Sequence, residues 1–468
     1  MTAAETLGRF VAGLDLASIP EDVVEAAKLH ALDTLGCGLA AHALGEARYA
    51  GLAAVEEAAG GPATAIGVPG GLPASEAALV NGTLCHALDF DDTHPDSVVH
   101  VSAAVVPAAL AAGEARGATG AEVLAALVAG NETSTRVGMA AGGRFHAHGY
   151  HATGVCGVFG AAAAAARLRG LDAAATTQAL GIAGSMAAGL LEFLADGSET
   201  KRLHPGWAAH AGLTAARLAA HGASGPATVL EGRRGLYAAY VHGEAADPVA
   251  QVAHLGERWT TREFAYKPYP ACHYVHAPVD ALAAVLRDHG LGREDVEQIV
   301  AFSDETGVGM VLDPPEEKVR PRTPYAAKFS LPYCLAARLV HGTLDVGSFT
   351  QEAIDDPAVL AVTPRVRYEL RQYAAAPDAF PGGVRVHTVD GRTLEAELRH
   401  QRGAAENPLG DDEVRAKYRA SAALALDDAD RERLEWLVLG LEQAPDLGAL
   451  EVLRQARVAP AAAAHASP

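Results

Sequence analysis

The feature that most limits the fold is a series of apolar segments with helical periodicity that fills residues 1 to about 260. Several of these segments are apolar on almost every face, and one contains six alanines in succession at residues 161–166. Helices that are apolar all round are buried among other helices. Because small side chains also let helices approach closely, the sequence predicts a large and tightly packed helical body.

The apolar spacing predicts where these helices lie. Pro20, Glu21 and Asp22 form a favourable helix start, because proline is tolerated and acids are stabilised in a first helical turn. Gly154, Gly157 and Gly160 form a GxxGxxG pattern within a predicted helix, which we interpret as close helix packing rather than a phosphate site. The predicted helices cover residues 23–44, 75–88, 102–116, 121–131, 154–168, 173–188 and 208–221.

The pattern changes near Arg262, because two prolines exclude residues 264–270 from a helix interior. A helix at 277–288 is followed by the first β-prone runs, and Asp390-Gly391 is the preferred two-residue turn of a hairpin. Predicted strands cover 298–303, 366–370, 384–388 and 394–398, and predicted helices return at 411–425 and 427–444.

These segments predict a mainly α fold class: a large all-helical body formed by both chain ends, with an inserted smaller α/β lid domain. The predicted domains are the first part of the helical domain at 1–263, the α/β lid at 264–402, the C-terminal part of the helical domain at 403–458, and a disordered tail at 459–468.

Composition limits the classes of partner. The 468 residues carry a net charge of −20, which argues against nucleic-acid binding, since nucleic-acid binders present a basic face. No apolar run reaches the length of a membrane span, and the start of the chain lacks the apolar core of a secretory signal. The five widely spaced cysteines are typical of a reduced compartment. We therefore expect a cytoplasmic protein with neither nucleic-acid nor membrane partners.

The first polar constellation runs from Cys85 to His100 and includes the segment Asp89-Phe90-Asp91-Asp92-Thr93-His94. If the preceding helix continues, Asp89 and Thr93 lie one turn apart on one face. Three interpretations stay open for this run: a solvated acidic helix end, a metal site, and a metal-free acid–base site. Asp91 and Asp92 are equally well interpreted as capping or structural acids.

The second constellation is His146-Ala147-His148-Gly149-Tyr150-His151. Its HxHxxH spacing is compatible with a metal cluster. His151 also precedes a buried helix, and the pKa of a histidine at a helix N-terminus is lowered, so that the neutral ring can act as a base.

The third constellation contains the cations. Lys201, within Thr200-Lys201-Arg202-Leu203-His204, and Lys267, within Lys267-Pro268-Tyr269-Pro270, are candidates to hold the carboxylates of an anionic substrate. The alternative for each is an ordinary surface lysine.

Taken in order, these segments resemble the 2-methylcitrate dehydratase / cis-aconitate decarboxylase family, also called MmgE/PrpD, over residues 5 to about 450. The resemblance rests on the motifs Ala31-Leu32-Asp33-Thr34-Leu35-Gly36-Cys37-Gly38, Asn81-Gly82-Thr83 running into Asp89–Thr93, His100 before Ser102-Ala103-Ala104, Gly149-Tyr150-His151, Lys201 in its T-K-x-x-H setting, Lys267-Pro268-Tyr269-Pro270-Ala271-Cys272 and Lys328-Phe329-Ser330-Leu331-Pro332-Tyr333.

The resemblance implies a homodimer that acts on a small di- or tricarboxylate and needs no metal or other cofactor. It also implies the site residues. The predicted catalytic residues are His151, His100, Asp89 and Lys201, and the predicted substrate-binding residues are Thr93, Lys267, Cys272, His273, His276 and Asp92. Two departures stand out: Val101 replaces a proline that many members carry, and Cys272 stands where decarboxylase members have a histidine.

The resemblance implies chemistry that begins with a proton, or a carboxylate, leaving next to a second carboxylate. A base of near-neutral pKa and local positive charge serve such chemistry. We assign the base role to His151 and the acid role to His100, although the two are exchangeable, and Asp89 is expected to orient a histidine. The first expectation is a dehydratase or hydratase of a hydroxy acid. The alternatives are a dicarboxylate epimerase, a decarboxylase of a cis-aconitate-like acid, and a non-catalytic binding protein.

Overall fold

The structure is a computed structural model of the chain, and it describes residues 1–58, 60–195, 197–243, 246–373 and 380–459. It is 59% helical, with 21 helices and one small four-stranded mixed sheet among those residues. The predicted fold class, mainly α with a small α/β part, is therefore confirmed. The predicted disordered tail lies outside the described residues from residue 460 onward.

Twelve helices precede the inserted part of the chain. They are α1 (Ala3–Gly13), α2 (Glu21–Ala43), α3 (Arg48–Glu57), α4 (Ala74–His86), α5 (Ser102–Arg116), α6 (Gly120–Ala141), α7 (Arg144–Ala147), α8 (Ala152–Leu168), α9 (Ala173–Gly184), α10 (Thr200–Ala220), α11 (Leu236–Tyr240) and α12 (Pro248–Val252). Among the described residues, no helix is both long and apolar enough to cross a membrane.

Helix α8 is the centre of this body and packs against α5, α6, α9 and α10. Residues Ala161–Ala166 are completely buried. A Cβ atom added at Gly157 would lie 2.9 Å from Ala104 Cβ, and one at Gly160 would lie 2.8 Å from the carbonyl oxygen of Gly130. These contacts confirm that the GxxGxxG glycines serve close helix packing.

The inserted part contains seven helices and the sheet. The helices are α13 (His273–His289), α14 (Glu305–Val311), α15 (Pro315–Val319), α16 (Pro324–Ala327), α17 (Leu331–His341), α18 (Gln351–Ile354) and α19 (Pro357–Leu360). The strands are β1 (Val296–Ser303), β2 (Val366–Leu370), β3 (Gly382–Thr388) and β4 (Thr393–Leu398). Their order is β2-β1-β3-β4, with β1 parallel to β2 and antiparallel to β3, and β3 antiparallel to β4.

Two helices close the chain, α20 (Asp411–Ala422) and α21 (Asp428–Leu439), and both pack against α2. Lys417 of α20 is paired with Asp33 of α2 at 2.9 Å, and both side chains are buried. The backbone divides into two compact units. Unit 1 comprises Met1–Ala87, Asp91–Phe264 and Gly410–Pro468, and unit 2 comprises Leu88–Phe90 and Ala265–Leu409.

Several predicted boundaries are wrong, and prolines explain two of them. Helices α10 and α13 begin well before the predicted starts and contain Pro205 and Pro278 in their interiors. Each proline removes one backbone hydrogen bond, but the buried faces of these helices hold the remaining turns together. Helix α4 ends earlier than predicted, at His86, because Asp89 adopts a left-handed conformation with φ of 53°. The expectation that Asp89 and Thr93 share a helical turn is therefore wrong.

Candidate active site

The C-terminal end of α4 places His86 beside Asp91. Nδ1 of His86 lies 2.9 Å from Oδ2 of Asp91, and both side chains are completely buried. Burial lowers the pKa of His86 to about 4, so its ring is neutral at pH 7 and donates Nδ1–H to the carboxylate. Nε2 of His86 is buried and has no hydrogen-bond partner among the described residues. That atom is left available for a ligand.

The next residues form a small hairpin. The backbone N–H of His94 donates to the carbonyl of Val99 at 2.9 Å, and the four residues between them make the turn. Antiparallel pairing of these two residues brings their outer neighbours, Thr93 and His100, opposite each other. Accordingly, Oγ1 of Thr93 lies 3.2 Å from Nδ1 of His100.

Asp91 also contacts this hairpin, because Nδ1 of His100 lies 3.2 Å from Oδ2 of Asp91. Burial alone would raise the pKa of Asp91, but the two imidazoles that contact the carboxylate outweigh burial and hold that pKa well below its usual range. Asp91 is therefore ionised at neutral pH. In unit 1 it takes the role that the sequence assigned to Asp89, the orientation of a histidine.

Asp92 is tied to the protein rather than exposed to a ligand. Its carboxylate accepts from Oγ of Ser102 at 2.5 Å and from the backbone N–H of Ser102 at 3.2 Å. It also lies 2.8 Å from Nδ1 of His30. These contacts join the start of α5 to α2, which supports the structural alternative for Asp92 over substrate binding.

His151 is the N-cap residue of α8, and its side chain is buried. Its Nδ1 lies 2.9 Å from Nδ1 of His204 on α10. Its ring stacks at 5.6 Å from that of His86 and lies 6.1 Å from that of His100. Three histidines from α4, the hairpin and α8 are thus gathered in one buried cluster within unit 1.

Lys201 lies one turn before His204 on α10 and is buried. Burial and the positive charge of Lys201 hold the pKa of His151 well below its usual range. Burial is the main cause that lowers the pKa of His204 to about 4, and the nearby His86 and Lys201 lower it further. Both rings are therefore neutral at pH 7, which is the state that a base requires.

The other histidines of the HxHxxH motif separate. The ring of His146 lies 5.8 Å from that of His151, and burial lowers its pKa to about 4. The ring of His148 instead packs against His242 at 4.7 Å. The motif therefore does not converge as the single metal cluster that its spacing allowed.

In unit 2, Lys267 is bound to Asp89. Its Nζ lies 3.1 Å from Oδ1 of Asp89 and donates to the carbonyl oxygen of Asp89 at 3.0 Å, and both side chains are about 2% exposed. The lysine thus fixes both the carboxylate and the left-handed backbone of Asp89. The catalytic role of Asp89 and the substrate-binding role of Lys267 stay predictions, and the bond between them is what the structure adds.

The Cys272–His276 segment begins α13. Cys272 is the buried N-cap residue, and the ring of His273 stacks on Phe380 at 4.8 Å. His276 is completely buried, and its Nε2 lies 3.1 Å from the carbonyl oxygen of Ala271. Each of the three side chains is held inside unit 2, and their role in substrate binding stays a prediction.

Lys328 secures the same segment and was not among the predicted site residues. Its Nζ donates to the carbonyl of Pro270 at 2.9 Å and lies 4.5 Å from the centre of the Phe349 ring. Its carbonyl oxygen accepts from the backbone N–H of Cys272 at 3.0 Å. The family motif that contains Lys328 therefore serves to position the loop between Lys267 and Cys272.

Within unit 1, one group of buried side chains could hold a metal ion. His86, His100 and His151 each offer a ring nitrogen, and these atoms lie within 4.8 Å of one another. His94, Asp96 and Glu263 form a second, more exposed group of this kind. The first group coincides with the acid–base cluster, so chelation is part of the functional test below.

The neutral histidines predict a pH-dependent stability. The pKa values of His86, His146 and His204 are lowered to about 4 in the folded state, against about 6.5 in an unfolded chain. Between these values the unfolded state binds more protons, so stability falls as the pH decreases, by about 1.4 kcal/mol per pH unit for each fully neutral histidine. The lowered pKa of Asp91 also stabilises the folded state. This stabilisation is lost only when the pH falls below the unfolded pKa of Asp91, so it does not oppose the trend.

The measurement is the denaturant midpoint at intervals from pH 7 to pH 4.5. We expect a lower midpoint at each step, with a shallower slope for His146→Asn. The matched control is His254→Asn, since the side chain of His254 is 71% exposed. A midpoint that does not change between pH 7 and pH 5 would show that these histidines are not held neutral.

The structure brings together most of the predicted residues of unit 1 and adds three. The predicted residues in or beside the histidine cluster are Thr93, His100, His151 and Lys201. The residues that the structure adds are His86, Asp91 and His204. The sequence carried a signal for two of these. His86 lies in the histidine-rich run, and His204 follows Lys201 by three residues, which places both on one helical face.

A buried cluster of neutral histidines, with an ionised carboxylate and a lysine, is an arrangement typical of acid–base enzymes. Comparison with known proteins agrees with this class. Residues 5–248 match the MmgE/PrpD N-terminal domain, and residues 269–443 match the MmgE/PrpD C-terminal domain. The chain therefore belongs to the MmgE/PrpD family.

Its relatives include enzymes named for one reaction. The chain is 30% identical over 455 residues to a cis-aconitate decarboxylase of Aspergillus terreus, covering 92% of this chain and 91% of the relative. It is 29% identical over 468 residues to the cis-aconitate decarboxylase-like protein oryM of Aspergillus oryzae, covering 96% of each. It is also 29% identical over 465 residues to the cis-aconitate decarboxylase of Homo sapiens, covering 96% and 94%.

Proposed function

We propose that this protein is a lyase of small di- or tricarboxylates that moves protons at a carbon next to a carboxylate. The proposal rests on the different partners that contact Nδ1 in two buried histidines, His100 and His151. His100 is held by an ionised carboxylate, Asp91, at 3.2 Å. His151 is held by a neutral histidine, His204, at 2.9 Å and lies near the charge of Lys201.

These environments suit opposite roles. The carboxylate of Asp91 contacts Nδ1 of His100 and orients its ring, which suits His100 as the acid. The lowered pKa of His151 suits the neutral base. Lys201 supplies positive charge for a substrate carboxylate and for the negative charge that develops on its neighbouring carbon.

Decarboxylation of a cis-aconitate-like acid is the first reaction to test, because the full-length relatives carry that name. In this reaction the carbon–carbon bond to one carboxylate breaks and CO₂ leaves. The electron pair stays on the substrate as an allylic carbanion next to another carboxylate. His100 then donates its proton to carbon, so the reaction consumes one proton and needs no base.

Dehydration of a hydroxy acid is the second candidate, and the neutral base favours it. His151 would remove a proton from carbon while His100 protonates the departing hydroxide, so that water leaves and a double bond forms. The presence of Cys272 in place of the histidine that decarboxylase members carry points in the same direction. The sequence alone favoured dehydration, whereas the names of the relatives support decarboxylation as the first reaction to test.

The test is incubation of the purified protein with cis-aconitate, 2-methylcitrate, citrate and small dicarboxylates in deuterated water, followed by NMR. Release of CO₂ with one deuteron on the product supports decarboxylation, and alkene formation from a hydroxy acid supports dehydration. Exchange with inversion and no alkene supports epimerisation. We expect the activity to survive prolonged chelation. Absence of turnover and exchange across the whole panel would overturn the proposal and favour a binding protein.

A further inference from the structure

His204 differs from the other histidines of the cluster, because it contacts both the buried site and an open cleft. Its Nδ1 lies 2.9 Å from Nδ1 of His151. It also lines a cleft of about 700 Å³ in unit 1, together with Phe193, Ser198, Thr200 and Trp207.

The backbone at two glycines passes close to the side chain of His204. A Cβ atom added at Gly189 would lie 3.2 Å from Nδ1 of His204, and one at Gly154 would lie 3.2 Å from Cβ of His204. Gly189 also has a φ of 129°, which side chains rarely adopt. The surrounding backbone thus leaves room for this ring and fixes its distance from His151.

A hydrogen bond between two Nδ1 atoms restricts their tautomers. One ring must donate Nδ1–H and the other must accept with a lone pair at Nδ1. For His151 to be a base at Nε2, His151 must be the donor, since its Nε2 then carries the lone pair. His204 is then the acceptor and carries its own proton at Nε2.

We propose that His204 is a positioning and proton-relay residue that fixes the reactive tautomer of His151 and connects it to solvent through the cleft. The inference rests on the proposed function. When His151 takes a proton at Nε2, its Nδ1 proton passes to Nδ1 of His204, and the Nε2 proton of His204 passes to water. Each ring gains one proton and loses one. The reverse sequence brings a proton from water to His151.

The relay predicts a fall in turnover that small bases reverse. His204→Ala removes the acceptor and opens space beside the cleft, so kcat of a reaction in which His151 takes a proton from carbon should fall by about 10²-fold or more. Added imidazole should restore part of the rate in proportion to its free-base concentration, because it can accept the proton in place of the missing ring. His151→Ala and His148→Asn, assayed beside it, should show no such recovery.

A second measurement does not depend on turnover. In a ¹⁵N-histidine correlation spectrum of the resting protein, His151 should show the neutral Nδ1–H tautomer, and His204→Leu should abolish this preference while the other histidine signals stay in place. If His151 shows the Nε2–H tautomer, the relay is wrong even if the protein is active. If the tautomer is as expected but no acid is turned over, the proposed function fails and the positioning role stands.

Discussion

Replacement of His100 by alanine is expected to lower kcat by about 10²–10⁴-fold, the usual contribution of a general acid. The loss should occur whichever lyase reaction the protein performs, because both decarboxylation and dehydration need a proton from an acid. His100 is buried beside Asp91 and Thr93. Asp91 keeps its second partner, His86, in the variant, so the fold of this segment should survive.

The comparison with His151→Ala separates the two reactions. A base is needed to take a proton from carbon in dehydration, so that reaction should lose as much rate from His151→Ala as from His100→Ala. Decarboxylation removes no proton from carbon and should lose less. The matched control is His148→Asn, from the same motif, whose ring packs on His242. Near-normal turnover of both His100→Ala and His151→Ala would show that the cluster is not the active site.

Replacement of Lys267 by methionine is expected to lower the free energy of unfolding by about 3–5 kcal/mol, because it breaks a buried ion pair and leaves the charge of Asp89 without its lysine. The two side chains are about 2% exposed and their charged atoms lie 3.1 Å apart. Adding Asp89→Asn to Lys267→Met should recover part of the loss, since the stranded charge is then removed. Asparagine also tolerates the left-handed backbone at this position.

Chemical denaturation of the four combinations measures the coupling between the two residues. The control is Arg287→Met, which breaks an ion pair with Asp288 whose side chains are 72% and 57% exposed, and exposed pairs contribute little. If the effects of Lys267→Met and Asp89→Asn simply add, the pair is not coupled, and Lys267 is then better placed in substrate binding alone.

The elements that the sequence predicted best are those in which one hydrophobic pattern extends over the whole segment. Helix α5 matches its predicted bounds because its apolar spacing continues on both sides of Pro107, and strand β2 matches because its sequence alternates. The glycines of α8 were also interpreted correctly, since small residues in a buried helix have few other uses. Prolines inside α10 and α13 misled the prediction, because tertiary burial outweighs one lost hydrogen bond.

The candidate site was only partly predictable for a related reason. His100 and His151 were identified by motif, but the residues that support them were not. The contact between His151 and His204 joins positions 53 apart and depends on the packing of α8 against α10. Asp91 was interpreted as a possible capping or structural acid, and the orienting role was assigned to Asp89 from its position in the family motif. Asp89 has a left-handed backbone and belongs to unit 2, whereas Asp91 belongs to unit 1. Local sequence patterns do not reveal such a turn.

The hairpin that carries Thr93 and His100 limits how this chain can change in length. His94 pairs with Val99, and only the four turn residues between them lie outside the pairing. An insertion in that turn leaves the facing pair intact. An insertion between Val99 and His100 rotates the imidazole to the opposite face of the ribbon, away from Asp91. Length variants of this protein should therefore keep their activity only when residues are gained or lost at the tip of the hairpin.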